Sequence, residues 1–430
     1  MKVILDWILI IISTMLFINS MNRILKYKSN TIADYVMVVI YIFNCLPVLL
    51  DNIFGIPRYF TWFANFQIAL QNDFIGIIYD LYLLFVIICI FMYINHYKNK
   101  YNITIYASNK SILFNNSILP FVISLPYIHI LISGKTPNYF IYGTYSKRGL
   151  SSEFYFYSTI FIYASIFASA CLFFSKKRKV KDYILLIIYV LSIIWIDGKR
   201  YIVATIFMMY LFYYLNSIAT RQKKISLKLL VIIVSLIFLF FYFMYALDIK
   251  KTVNNFDSLY MAYRIDFGRD DVTKFVLYRE LILHEPILEY RGETVLSTIL
   301  MIIPRNIWPN KPYPHYRYLT AALYGTSIYN IPAGMTPSLF EMSIANFGVI
   351  LGMPISILVL LLSCYWADNC KSVPRKSMYL LIVIGLLTQS MDSMLLYFYL
   401  APTSAVLSKF RIMKKQSIEI SRDDYRRTIQ

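Results

Sequence analysis

Two short segments carry cations on turned or rigid backbone, and both have the chemistry to grip an anion. Asp197-Gly198-Lys199-Arg200 sets an ammonium and a guanidinium beside a flexible glycine. A guanidinium offers phosphate a planar, bidentate fork, and an ammonium a mobile point charge. Residues 303–312 read I-P-R-N-I-W-P-N-K-P, in which Pro304, Pro309 and Pro312 fix the backbone around Arg305, Trp308 and Lys311. The first segment also has the composition of a solvated turn with Gly198 as helix cap. Trp308 has a face suited to a sugar ring, although a tryptophan near a membrane boundary more often anchors at the interface.

Two candidates stand out as a general base. His315 follows the proline-rich segment, and Glu341 opens a long apolar run, where an acid is costly against lipid unless it is paired or functional. The bland reading of His315 is a loop residue bonded to backbone, and that of Glu341 an end-of-helix charge. Arg264 and Arg269 stand among Asp266, Asp270 and Asp271. These acids lack a further carboxylate at clear ligand spacing, so ion pairs with the two arginines are expected rather than a metal site. Asp6 and Asp80 interrupt apolar runs and read as near-surface or internally paired acids.

The elements that must position these groups are apolar helices. The 430 residues are 59% hydrophobic and 15% charged, with a mean hydropathy of +0.58, against roughly 45–50% apolar and about 25% charged in globular domains. This is the composition of an all-α polytopic membrane protein, with the whole chain, 1–430, as one domain. A span needs about 20 mostly apolar residues. The candidates are 3–19, 32–50, 74–95, 112–132, 154–174, 183–196, 202–216, 227–247, 339–366 and 378–398. A polar break at Gln389, Ser390 and Asp392 divides the last run, giving ten to eleven transmembrane helices. The run at 3–18 lacks a charged leader and a cleavage site, and reads as a retained first span. Residues 248–338 form the long polar stretch, and 408–430 a basic C-terminal tail.

A formal charge of +19 would suggest nucleic acid in a soluble protein. Here the cations cluster beside apolar runs, as in Lys176 to Lys181 and Lys409 to Lys415, which points to topology signals and anionic membrane lipid. No nucleic-acid partner is expected. The five cysteines lack zinc or redox spacing and read as small hydrophobes, and no cofactor is implied. Loops after the odd-numbered spans carry roughly three times as many Lys and Arg as the opposite short loops, which makes them the cytoplasmic set. Residues 197–200 and the 248–338 loop then share the extracytoplasmic side.

Four segments occur in an order that resembles a known family: Y-R-I-D (263–266), Y-R-G-E-T (290–294), I-P-R-N-I-W-P-N-K-P (303–312) and E-M-S-I-A-N-F-G (341–348). Together with Gly198 and Arg200 at the tip of a short hairpin, they resemble the Wzy-type O-antigen and capsular polysaccharide polymerases. The resemblance implies a GT-C-like fold with one large extracytoplasmic loop in the bacterial cytoplasmic membrane. It also implies metal-independent transfer of a growing glycan from undecaprenyl diphosphate onto a lipid-linked oligosaccharide repeat unit. A chain-length regulator and a flippase would be partners. On that reading Arg200, Lys199, Arg305, Lys311, Trp308 and Arg264 bind substrate, while Glu341 or His315 acts as base. An O-antigen ligase shares the architecture, a repeat-unit flippase usually has shorter loops, and an acyltransferase would place a histidine and arginine within its spans.

Overall fold

In the computed structural model, described residues are 1–26, 31–59, 64–97, 118–133, 152–173, 180–197, 205–212 except 207 and 210, 256–300, and 303–391 except 304, 306, 332, 333, 371 and 372. Among these the chain is helical and contains no strand. Four helices are long and apolar enough to cross a membrane: Lys2–Leu25, Ile32–Phe54, Asp73–Tyr97 and Leu339–Asp368. The expectation of a helical membrane protein holds at this level. The run at 227–247, most of 202–216 and the tail at 408–430 lie outside the described residues.

Two compact units divide the chain. The first comprises 1–103, 217–369 and 383–395, the second 104–216, 370–382 and 396–430. In the second, α6 (Leu119–Ile132) packs on α7 (Ser152–Phe173), which contacts α8 (Val180–Asp197). Hydroxyls join these helices, with Ser165 and Tyr189 2.8 Å apart and Tyr127 bonded to Ser192.

The first unit holds Arg264, Arg305, Trp308, Lys311, His315 and Glu341, while Lys199 and Arg200 belong to the second. The opening helix of the first unit, α1 (Lys2–Lys26), runs parallel to α5 (Asp73–Tyr97): Lys2 lies 3.6 Å from Asp73 and against Gly76, and Asp6 lies beside Asp80. Between them the chain forms α2 (Ile32–Ile40), a wide π turn (Tyr41–Cys45), α3 (Leu46–Phe54) and a short α4 (Ala64–Gln71). Pro47 has no N–H for the carbonyl one turn back, and the helix widens just before it.

Buried carboxylates tie one end of this unit. Asp34 takes the Arg23 guanidinium at 2.7 Å. Asp368 accepts the Ile32 N–H at 2.9 Å, capping α2, and the Tyr93 hydroxyl at 3.0 Å. Lys2, Asp51, Asp73 and Glu341 belong to the opposite ends of their helices.

The expected loop at 248–338 is built largely of helices: α9 (Phe256–Phe267), α10 (Arg269–Tyr278), α11 (Glu293–Ile299) and α12 (His315–Tyr324). Far from being a solvated cover, α10 is buried from Arg269 to Leu277 and packs on α4 and α5. It also touches α13 (Leu339–Asp368).

The run at 339–366, expected as one span, carries a break. Gly348 adopts φ +73° and ψ 172°, a region reserved for glycine, so α13 consists of a buried first arm ending at Phe347 and a longer second arm. The arms fold back closely. A Cβ on Gly352 would sit 2.6 Å from Ile344 Cα and nearer still to the Ser343 carbonyl oxygen. The last described helix, α14 (Val373–Thr388), ends at the polar break that begins with Gln389. Gly348→Ala is expected to lower stability by about 1–3 kcal/mol through backbone strain, and Gly352→Ala to do so through steric conflict. Thermal melts of the purified protein check both, and two unchanged melts would mean that the helix is not broken here.

Candidate functional site

Arg264 is fully buried, so its guanidinium must find its acceptors inside the protein. It forms a bidentate pair with Asp270, at 2.7 and 3.0 Å, and also donates to Asp51 at 3.0 Å and to Asp271. Gly268 makes this possible. A Cβ there would lie 2.6 Å from the Arg264 carbonyl oxygen and 3.0 Å from its Nη1. Lys274, one turn along α10, holds the other side of Asp270 at 2.9 Å. Tyr260 donates to Asp51 at 2.6 Å, and the Tyr59 hydroxyl is bonded to Asp271.

The carboxyls of Asp51, Asp270 and Asp271 lie within 4.8 Å of one another, a spacing that would suit a metal ion. The cation among them is the guanidinium. Two cations face three acids, and the acids divide accordingly. Burial alone would raise Asp270, but Arg264 and Lys274 together hold it below the usual carboxylate range. Burial pushes Asp271 well above that range despite the pull of Arg264.

The expected pairing of Arg264 with Asp270 and Asp271 is present. Arg269 instead donates to backbone, to Thr388 O at 3.2 Å and Asp266 O at 2.9 Å. Arg264, expected to bind substrate, is committed to three acids with no exposed surface.

A second buried cluster joins the two base candidates. His315 Nε2 lies 2.5 Å from Glu341 Oε1, and neither side chain is exposed. The surrounding bonds fix the tautomer. Asn346 gives its Nδ2 to Met342 O at 2.7 Å, and its Oδ1 accepts the Val295 N–H at 3.4 Å and the Thr294 hydroxyl at 2.9 Å. With its only hydrogen spent, Thr294 must accept from His315 Nδ1, 3.0 Å away. The contact between Nε2 and Glu341 then needs one proton shared across it. Glu341 Oε2 accepts the Ser338 N–H at 3.3 Å, closing a capping box at the start of α13.

The cationic segment lies just before His315. Exposed Arg305 donates to Lys311 O at 2.7 Å and Pro312 O at 3.2 Å, and its guanidinium lies 4.1 Å from the Tyr313 ring. Arg317 approaches the same ring at 4.9 Å. Neither arginine meets a carboxylate among the described residues. Lys311 Nζ donates to Ile303 O at 3.0 Å, and Trp308 is half-buried. Beside α12 a cleft of about 310 Å³ is lined by Arg279, Ile287, Tyr318 and Ala322, near the lower limit for a ligand pocket. Lys199 and Arg200 fall outside the described residues.

Sequence reasoning singled out His315 and Glu341 separately and missed their partners Thr294 and Asn346, although both stand inside the resembling segments. It also missed Asp51, Tyr59 and Lys274. Comparison of the chain with protein-family models, curated proteins and solved structures gives no match.

Arg264→Ala is expected to cost about 3–5 kcal/mol, because it strands buried acids without their cation. Asp270→Asn should be more damaging than Asp271→Asn. The depressed Asp270 contributes stability above the ordinary carboxylate range, lost as pH falls through its native value. The raised Asp271 contributes at low pH, and that contribution is lost as pH rises through its native value. Melting across pH should therefore show Asp271→Asn flattening the alkaline loss; equal damage from both asparagines would refute the division.

Proposed function

We propose that the chain is a Wzy-type membrane glycosyltransferase that polymerises undecaprenyl-diphosphate-linked oligosaccharide repeat units on the outer face of the bacterial cytoplasmic membrane. The product would be an O-antigen or capsular polysaccharide. The observation that carries this reading is convergence. Three of the four resembling segments, separated in sequence, meet around one buried histidine. Y-R-G-E-T supplies Thr294 to His315 and Asn346, and Arg291 to the Ala345 carbonyl at 2.7 Å. E-M-S-I-A-N-F-G supplies Glu341 and Asn346. The proline-rich segment ends at Pro312, whose carbonyl accepts the Ser297 hydroxyl at 2.9 Å, three residues before His315.

In this reading Arg305, Lys311 and the adjoining Arg317 face the diphosphate. The acceptor hydroxyl oxygen bonds to the anomeric carbon while the bond from that carbon to the diphosphate oxygen breaks. Undecaprenyl diphosphate leaves as an anion stabilised by the guanidinium groups, and the hydroxyl proton passes to Glu341. Both Glu341 oxygens are engaged at rest, so the incoming hydroxyl must displace the His315 contact, the shared proton staying on His315 Nε2 and leaving Glu341 as the carboxylate. Trp308 offers a flat apolar face to a sugar beside the cations.

Loss of the gene should leave single capped repeat units. Full-length unattached chains would indicate a ligase instead, and cytoplasm-facing units a flippase. With lipid-linked repeat units and reconstituted protein, Arg305→Ala is expected to slow transfer by about 10²–10³-fold, and Glu341→Gln by about 10²–10⁴-fold with folding retained. Normal rates in both variants would remove this assignment of the site.

A further inference from the structure

Asp80 lies two turns into α5, a helix apolar enough to span a membrane, and only 1% of its surface is exposed. Neither of its carboxyl oxygens receives an N–H or O–H from any described residue. What does lie within hydrogen-bonding reach is a second carboxyl, that of Asp6 on α1, itself 5% exposed. Among the described residues Asp6 has one donor, Asn52 Nδ2 at 3.3 Å. Two bare carboxylates in such surroundings repel each other and lack solvation. One proton between them turns that repulsion into a strong O–H···O hydrogen bond.

The cations facing this pair, Lys2 and Lys274, act on Asp80 only across space, and each is bonded to another acid. On α1, Lys2 is engaged with Asp73 at 3.6 Å. On α10, Lys274 is bonded to Asp270 at 2.9 Å and lies 4.9 Å from the Tyr79 ring. The π turn contributes Cys45, a neutral neighbour whose thiol sits in the field of both Asp80 and Asp270. The pair thus sits beside the Arg264 cluster, whose two cations already face three acids.

We propose that Asp6 and Asp80 form a binding site for one proton inside the helix bundle, and that occupancy of this site decides which acid holds Lys274. With the proton in place, Asp80 exerts little pull and Lys274 stays on Asp270. When the proton departs to water, two carboxylates remain, and Lys274 is drawn from Asp270 toward Asp80. Asp270 then keeps Arg264 as its one cation, which loosens the hold of α10 on the spans. The site works the same way whatever the chain transfers.

Infrared difference spectra of the full-length protein in lipid nanodiscs test this. Beside the band of protonated Asp271, wild type should show a second protonated-carboxyl band that shifts in D2O, persists in Asp271→Asn and is absent from both Asp80→Asn and Asp6→Asn. Asparagine is isosteric and replaces a shared proton with an amide donor, so the melting temperature near neutral pH should be retained; either variant suffices if the other does not fold. In Lys274→Gln this second band should persist to a pH higher by about one unit. The second band retained in both Asp80→Asn and Asp6→Asn would overturn the site, and a Lys274→Gln titration identical to wild type would overturn its link to α10. A melting temperature raised by Na⁺ but not choline at constant ionic strength, and insensitive to Na⁺ in Asp80→Asn, would mean that a metal cation holds the pair and would also overturn the proposal.

Discussion

A guanidinium shut away from water has to be answered by the protein, and Arg264 is answered by carboxylates from two helices. Asp51 comes from the end of α3, within a span, while Asp270 and Asp271 open α10. Because the pair with Asp270 is bidentate, it fixes orientation as well as distance. The polar region after residue 255 is thereby fastened to the apolar bundle by charge, where hydrophobic burial alone would leave its register loose. A buried ion pair is poor evidence of net stability, since desolvation offsets much of its attraction. Its contribution here is specificity: α10 can bury four ionised or ionisable side chains in this one register.

The second constraint is the break at Gly348. A straight helix through 339–368 would carry Glu341 and Asn346 away along one axis. Folding at Gly348 turns the first arm back, and Gly352 lets the two arms approach. Asn346 then reaches Thr294, and Thr294 sets the tautomer of His315. A backbone conformation open only to glycine is therefore upstream of the hydrogen-bonding role of a histidine nitrogen beyond it. The Ser338 capping box holds Glu341 from the other side, so the carboxyl is placed by its own helix start and by its partner alike.

The spans were legible because apolar length is a local property. Runs at 3–19, 32–50 and 74–95 need no partner to be recognised, and the structure has helices there. The pairing of Arg264 with the nearby Asp270 and Asp271 was legible too, whereas partners far apart in sequence were not. Helix α10 carries Arg269, Asp270, Asp271 and Lys274, so its hydropathy reads as loop, yet ion pairs and backbone bonds make it core. Asp51 has an apolar flank and nothing local to mark it as the acid that Arg264 needs. The break at Gly348 is hidden for the opposite reason, because the residues around it are apolar enough to continue as one span. His315 and Glu341 were visible as residue types out of place, but their separation of 26 positions concealed that each was the other's partner.

Pairing also sorts the cations that the sequence could only count. Arg264, Arg279 and Arg291 each meet an acid, and their charge is spent on holding the chain together. Arg305 meets two carbonyl groups and the ring of Tyr313, and Arg317 meets the same ring, contacts that orient a guanidinium without neutralising it. An exposed cation costs little while it remains hydrated, so nothing in folding demands an acid for it. The same arrangement keeps its full charge available to an incoming anion, on a segment anchored by Ser297 to Pro312 and leading directly into His315. Rigid placement below and uncompensated charge above follow from one division, between cations that the fold consumes and cations that it merely aims.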